Sequence, residues 1–146
     1  MALAVGTPAP GFTTKDTQGN TVTLADFSGK TVILYFYPKD DTPGCTKEAC
    51  SFRDNYSAYQ GKDIVVLGVS VDDEASHQQF TQKFNLPFPL LADTSRLMTQ
   101  SYDVDGGTGY AKRVTYVIDP KGMIAHVYTS INTETHATDI LADLGL

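Results

Sequence analysis

Cysteine is scarce in this chain, with two residues in 146, and cationic side chains are outnumbered, 11 lysines and arginines against 17 aspartates and glutamates, a net charge of −6. Two cysteines are too few for a disulfide framework, and in a reducing compartment they point to catalytic or redox use. No basic run occurs, which argues against sequence-independent binding to nucleic acid or anionic lipid, since either needs clustered lysine and arginine. No apolar stretch approaches the ~20 residues of a membrane-spanning helix, so no membrane partner is expected. The first ten residues lack a basic n-region and break at Gly6, Pro8 and Pro10 before an apolar core can form, so no signal peptide is visible. A cytoplasmic protein is expected, or a mature organelle form whose presequence has been removed. The three histidines, His77, His126 and His136, lie far apart without ligand spacing, so neither a metal nor another cofactor is expected. The acidic runs Asp40-Asp41 and Asp72-Asp73-Glu74 read as residues of helix starts rather than metal ligands. Gly106 to Gly109 has neither the GxGxxG spacing nor a following Lys-Ser or Lys-Thr, which excludes a phosphate cradle and leaves a flexible loop bordering the site.

What is present describes an ordinary globular chain, 41% hydrophobic and 19% charged, of a length that suits one domain over residues 1–146. A strand around Val22 and Leu24 follows the turn Gln18-Gly19-Asn20, so a β-hairpin opens the chain. Residues 31–37 form an apolar, β-branched and aromatic run suited to a strand covered on both faces, and Pro38 ends it. A second such run, 63–70, follows a segment of helical spacing, which makes a βαβ unit with parallel strands. A helix capped by Asp72 or Asp73 carries Phe80 and Phe84 before Asn85 and Pro87 stop it. A short helix is predicted over 95–102. Strands at 114–118 and 123–128 form a hairpin around Asp119-Pro-Lys-Gly122. A last helix over 133–144 carries Ile140, Leu141 and Leu144. This order specifies the α/β class and a thioredoxin-like fold, a central mixed sheet flanked by helices with an N-terminal β-hairpin extension.

The chemistry concentrates in Tyr37-Pro-Lys-Asp-Asp-Thr-Pro-Gly-Cys-Thr-Lys-Glu-Ala-Cys50, between the carboxyl end of a parallel strand and a helix start, the edge where open α/β sheets bind ligands. Pro43 suits a first helical turn, and Cys45 then faces free backbone N–H groups and the positive end of the helix dipole, both of which favour thiolate. Thiolate alone is insufficient: a free thiol of pKa about 8.5 gains at most about 30-fold in reactive fraction when its pKa falls below 7. The remainder needs donors aimed at a leaving oxygen. Thr42 has a hydroxyl that can accept and donate, and Arg113 supplies a permanent cation, with Lys112 beside it as a competitor.

Pro38-x-x-x-Thr42-x-x-Cys45 resembles the peroxiredoxin active-site signature, and the longer string is similar to the bacterioferritin comigratory protein (PrxQ) branch. The likeness runs from Val5-Gly-x-x-Ala-Pro10 through Arg113-Val-Thr-Tyr-Val-Ile-Asp119 to His126. It implies a thiol-dependent peroxidase of hydrogen peroxide and organic hydroperoxides. In this reading Cys45 attacks and becomes a sulfenic acid, Thr42 and Arg113 hold substrate, Pro38 shields the site, and Cys50 resolves by an intramolecular disulfide. It also implies regeneration by thioredoxin or a related dithiol donor, and a monomer.

Helix geometry adds a constraint of its own. Cys45, Ala49, Phe52, Tyr56 and Tyr59 fall within about 40° of one line, whereas Cys50 lies about 140° from Cys45 and about 8.6 Å away between Cα atoms. An unstrained disulfide needs less than about 7 Å, so an intact helix cannot close it and its first turns must unwind. Two rivals fit less well. A thioredoxin-type thiol–disulfide oxidoreductase expects Cys-x-x-Cys, but four residues intervene here. A non-catalytic copper or other metal-binding module on the same fold needs a soft third ligand.

Overall fold

The computed structural model describes residues 2–145. It opens with the hairpin β1 (Thr13–Asp16) and β2 (Thr21–Thr23), whose turn is tied by Asp16, with Oδ1 accepting from the backbone of Gln18 and Asn20. Leu24 lies outside the strand. Asp26 accepts from the backbone N–H of Thr23 at 2.9 Å and starts a 3-10 turn, Leu24–Phe27, which accounts for the shorter strand.

The apolar run becomes β3 (Thr31–Phe36), and its residues divide between the two faces by strand alternation. Val32, Leu34 and Phe36 pack on one side with Phe12, Met98 and Tyr102, and Ile33 and Tyr35 on the other with Cys45, Phe52 and Ile140. Next come α1 (Pro43–Asp54), α2 (Tyr56–Gly61) and β4 (Ile64–Ser70), which pairs parallel with β3. Gly68 lies opposite Tyr35 in that pairing, and a Cβ there would sit 2.7 Å from the Tyr35 hydroxyl, so only glycine lets the ring cross the strand. The predicted apolar stripe survives, but not as one helix. Asn55 interrupts it, its amide donating to the Ser51 carbonyl at 2.8 Å, while Ala49, Phe52 and Tyr59 stay fully buried on both sides of the break.

The helix predicted after Asp73 is α3 (Glu74–Phe84), with the Asp73 carboxylate accepting from Ser76 N at its start and Asn85 left-handed at its end. β5 (Leu90–Ala92) was not foreseen, because three residues after Pro87 and Pro89 show no period. It joins β4 in parallel and β1 antiparallel, and so draws the N-terminal hairpin into the main sheet instead of leaving it an appendage. The short helix, α4 (Leu97–Ser101), begins later than expected because the Asp93 carboxylate caps it at Met98 N and Thr99 N. β6 (Val114–Ile118) and β7 (Ile124–Tyr128) form the expected hairpin. The last helix, α5 (His136–Asp143), is shorter than predicted. The sheet is mixed, in the order β2-β1-β5-β4-β3-β6-β7. No helix among the described residues is long and apolar enough to cross a membrane.

Candidate active site

The site forms where β3 turns into α1. Tyr37 prolongs the pairing, its N–H donating to the Val69 carbonyl at 3.0 Å, and the chain then loops through a half-buried Pro38 to Thr42. Thr42 is extended (φ −95°, ψ 156°) and immediately precedes the helix that Pro43 opens. Its carbonyl accepts from Thr46 N at 2.8 Å, but its hydroxyl makes no helix cap and donates to the Lys39 carbonyl at 3.0 Å. That bond occupies the hydroxyl hydrogen and leaves the oxygen lone pairs as acceptors, which narrows the double role that the residue type allows.

Cys45 lies in the first turn of α1 with 1% of its surface exposed. Arg113, just before β6, reaches it across the sheet: Nη2 donates to Sγ at 3.2 Å, while Nη1 donates to Glu48 Oε1 at 2.6 Å. Gly44 makes room for this, since a Cβ there would lie 3.0 Å from Arg113 Nη2. Lys112, the competing cation, points into solvent. A permanent positive charge is thereby held against the sulfur by a fully buried carboxyl one helical turn on.

Glu48 was not singled out in the sequence, and His136 was weighed there only as a metal ligand. Glu48 does lie at the i+3 position from Cys45, on the same helical face, and that spacing on a buried face is the signal that could have found it. Burial pushes its carboxyl up to about 7 against the pull of Arg113, and its Oε2 has no hydrogen-bond partner. His136 sits behind it, with Nε2 2.8 Å from the Thr115 hydroxyl and 3.8 Å from Glu48 Oε2. Burial, with help from Arg113, lowers His136 to about 4 although Asp139 pulls it up. The 3.8 Å approach is therefore not an ion pair near neutrality, because the imidazole is uncharged there.

Cys50 occupies another face of α1 and is only partly buried. Burial raises its thiol above the ordinary value, Arg53 lowers it and Asp54 raises it. Both cysteines are free thiols on one unbroken helix. The second acidic run starts a helix as read, with Asp73 capping α3 and Glu74 in its first turn, but the first does not: Asp40 is buried within a hydrogen-bond network and Asp41, left-handed at φ 58°, pairs with Lys83 at 2.8 Å. His126 lies on β7, as expected. The glycine loop is closed by a bridge between Asp105 and Ala111. A surface groove of about 570 Å³ between Phe12, Leu24 and Leu97 includes none of the residues around the sulfur.

A sequence model of the AhpC/TSA family matches residues 5–127. Among curated proteins, the chain is 38% identical to "Peroxiredoxin Bcp" of Bacillus subtilis, covering 99% of this chain and 96% of that one. It is 45% identical to "Peroxiredoxin Q, chloroplastic" of Triticum aestivum over 95% of this chain, and spans 65% of the wheat protein's length. Among solved structures, the bacterioferritin comigratory protein of Xanthomonas campestris, described for its alkyl peroxide reduction activity, superposes with a TM-score of 0.88 at 27% identity, covering 97% of this chain and 98% of that one.

Proposed function

The chain belongs to the AhpC/TSA family and is a thiol peroxidase, and on that premise we propose that Cys45 is the sulfur that attacks the hydroperoxide. The observation that carries this is the guanidinium of Arg113, bound on one side to Glu48 and on the other to Cys45 Sγ. The sulfur attacks the terminal peroxide oxygen in line with the O–O bond. That bond breaks, Cys45 becomes a sulfenic acid, and the departing oxygen takes a proton and leaves as water or an alcohol. Arg113 faces the charge that grows on the oxygens, where preorganised donors are worth most. Thr42 Oγ1, with its own hydrogen occupied by Lys39, accepts a hydrogen bond from the peroxide O–H, whose proton stays on the oxygen transferred to sulfur, and Pro38 keeps bulk water from the sulfur.

Cys50 then attacks the sulfenic sulfur, water leaves, and a disulfide joins the two residues. The intact helix α1 holds the cysteines too far apart for this bond, so its first turns unwind in each cycle. A thioredoxin-type dithiol returns both to thiols by exchange, and the protein works as a monomer on hydrogen peroxide and small organic hydroperoxides. The compartment is the cytoplasm, or an organelle as the wheat relative's name indicates for that protein.

Prereduced protein treated with one equivalent of hydrogen peroxide tests the assignments. Wild type is expected to lose both thiols with a mass fall of about two daltons, Cys50→Ser to yield a trappable sulfenic acid, and Cys45→Ser not to react. Equal, slow reaction of all three proteins would remove Cys45 from this role. Hydrogen exchange over residues 43–52 that stayed equally slow in the reduced and oxidised forms would remove the unwinding step.

A further inference from the structure

Between Pro38 and Thr42 lies a buried acid that this mechanism does not use. Asp40 is 7% exposed, and both carboxylate oxygens are occupied. Oδ1 accepts from the Tyr37 hydroxyl at 2.6 Å, and Oδ2 meets the Ser76 hydroxyl at 2.8 Å and His77 Nδ1 at 2.7 Å. Its backbone N–H donates to Asp72 Oδ2 at 2.8 Å, which also accepts from the Ser70 hydroxyl at 2.6 Å. His77 is fully buried, and its Nε2 lies 3.0 Å from the Leu91 carbonyl. A carbonyl only accepts, so Nε2 carries hydrogen, and one proton between Nδ1 and the carboxylate closes the other contact. The ring is thus pinned to β5 at one end and to the active-site loop at the other.

Asp40, Asp72 and His77 offer ligand atoms within 4.8 Å of one another. Each of those atoms already serves a protein partner, which makes the cluster a brace rather than a cation site. Burying acid and imidazole together is costly compared with apolar packing, so the arrangement answers a geometric demand more than a need for stability. The demand is visible next door: the Lys39 carbonyl, adjacent to Asp40, is the acceptor that orients the Thr42 hydroxyl.

We infer that Asp40 and His77 are positioning residues for the peroxide step. They clamp residues 38–42 to α3 and β5, so that Thr42 Oγ1 stays where it accepts a hydrogen bond from the peroxide O–H and returns there after each unwinding of α1. The inference rests on the assignment of Cys45 as the attacking sulfur, and its test separates the two. Second-order rate constants of prereduced protein with hydrogen peroxide and with iodoacetamide are measured side by side, because alkylation uses the sulfur and its surroundings but needs neither Thr42 nor Pro38. Asp40→Asn and His77→Leu are expected to lower the peroxide rate by about 100-fold and alkylation by less than about 3-fold. Ser76→Ala removes one bond to Asp40 at a half-buried position, keeps the test available where the buried substitutions do not fold, and is expected to lower the ratio of the two rates by about 5-fold. An unchanged ratio in the folded variants, whether both rates hold or both fall together, overturns the inference. A wild-type protein that reacts with peroxide no faster than free cysteine overturns the Cys45 assignment itself, and the clamp with it.

Discussion

Asp40 and Glu48 are both buried acids, placed just before and just after Cys45, yet their surroundings differ. Both oxygens of Asp40 are met by donors, whereas Glu48 binds Arg113 through Oε1 and leaves Oε2 bare. The aromatic residues beside them follow suit: Tyr37 donates to Asp40, while the buried Tyr35 hydroxyl has no partner. A saturated network holds atoms in place. An unsaturated one can take up or release a proton, and Glu48, pushed up to about 7, does so beside the guanidinium that also binds Cys45 Sγ. With Glu48 ionised, Arg113 divides its charge between carboxylate and sulfur; with Glu48 protonated, the guanidinium faces the sulfur alone.

Breaking the unsaturated side at its cation has the largest expected effect. Arg113→Gln should lower the rate of Cys45 oxidation by about 10² to 10³, the cost of losing one preorganised donor at a developing negative charge. Stopped-flow measurement giving a rate within tenfold of wild type would show that the guanidinium does not serve this step.

The next effect separates two opposing proton linkages. Glu48, raised from 4.5 to about 7, keeps its proton in the folded state where the unfolded chain has lost it, so its contribution is intact below pH 4.5 and is lost as pH rises to about 7. His136, lowered from 6.5 to about 4, has the opposite sign: its contribution is intact above pH 6.5 and is lost as pH falls to about 4. Each is worth about 3 kcal/mol, and between pH 4.5 and 6.5 their slopes with pH nearly cancel, one contribution falling as the other rises. Relative to wild type, Glu48→Gln should therefore gain stability as pH rises from 4.5 to 6.5, and His136→Asn should lose it. Urea denaturation across that range checks the signs, and parallel profiles for the three proteins would refute both linkages.

The smallest effect compares the two tyrosines. Tyr37→Phe strips Asp40 Oδ1 of its donor and should cost about 1 to 3 kcal/mol, whereas Tyr35→Phe removes an unpartnered hydroxyl and should be neutral or slightly stabilising. Thermal denaturation reads both. A larger loss in Tyr35→Phe would show that its hydroxyl has a partner after all.

The residues that could be read ahead are those whose meaning is local. Pro43 and Cys45 mark a helix start by residue type and spacing, and the run from Thr31 to Tyr37 marks a buried strand by its unbroken apolarity. β5 escaped because three residues carry no period, and its strand character comes from pairing with Gly68, Val69 and Ser70. Glu48 escaped, and His77 was weighed only as a metal ligand, because each looks like an ordinary polar helix residue until the sheet buries it. The break at Asn55 escaped because the apolar spacing continues through it.

By itself the sequence determined the longer strands and helices, the helix turn that carries Cys45, and that an unbroken helix cannot join Cys45 to Cys50, because these follow from short-range sterics, periodicity and helix dimensions. Only the tertiary structure decided that Arg113, and not Lys112 beside it, would reach the sulfur of Cys45, 68 residues away, and that Asp40 and His77, 37 residues apart, would share a hydrogen bond. Those pairings depend on the order of strands in the sheet, which brings the β6 end against the start of α1 and α3 against the loop that precedes it.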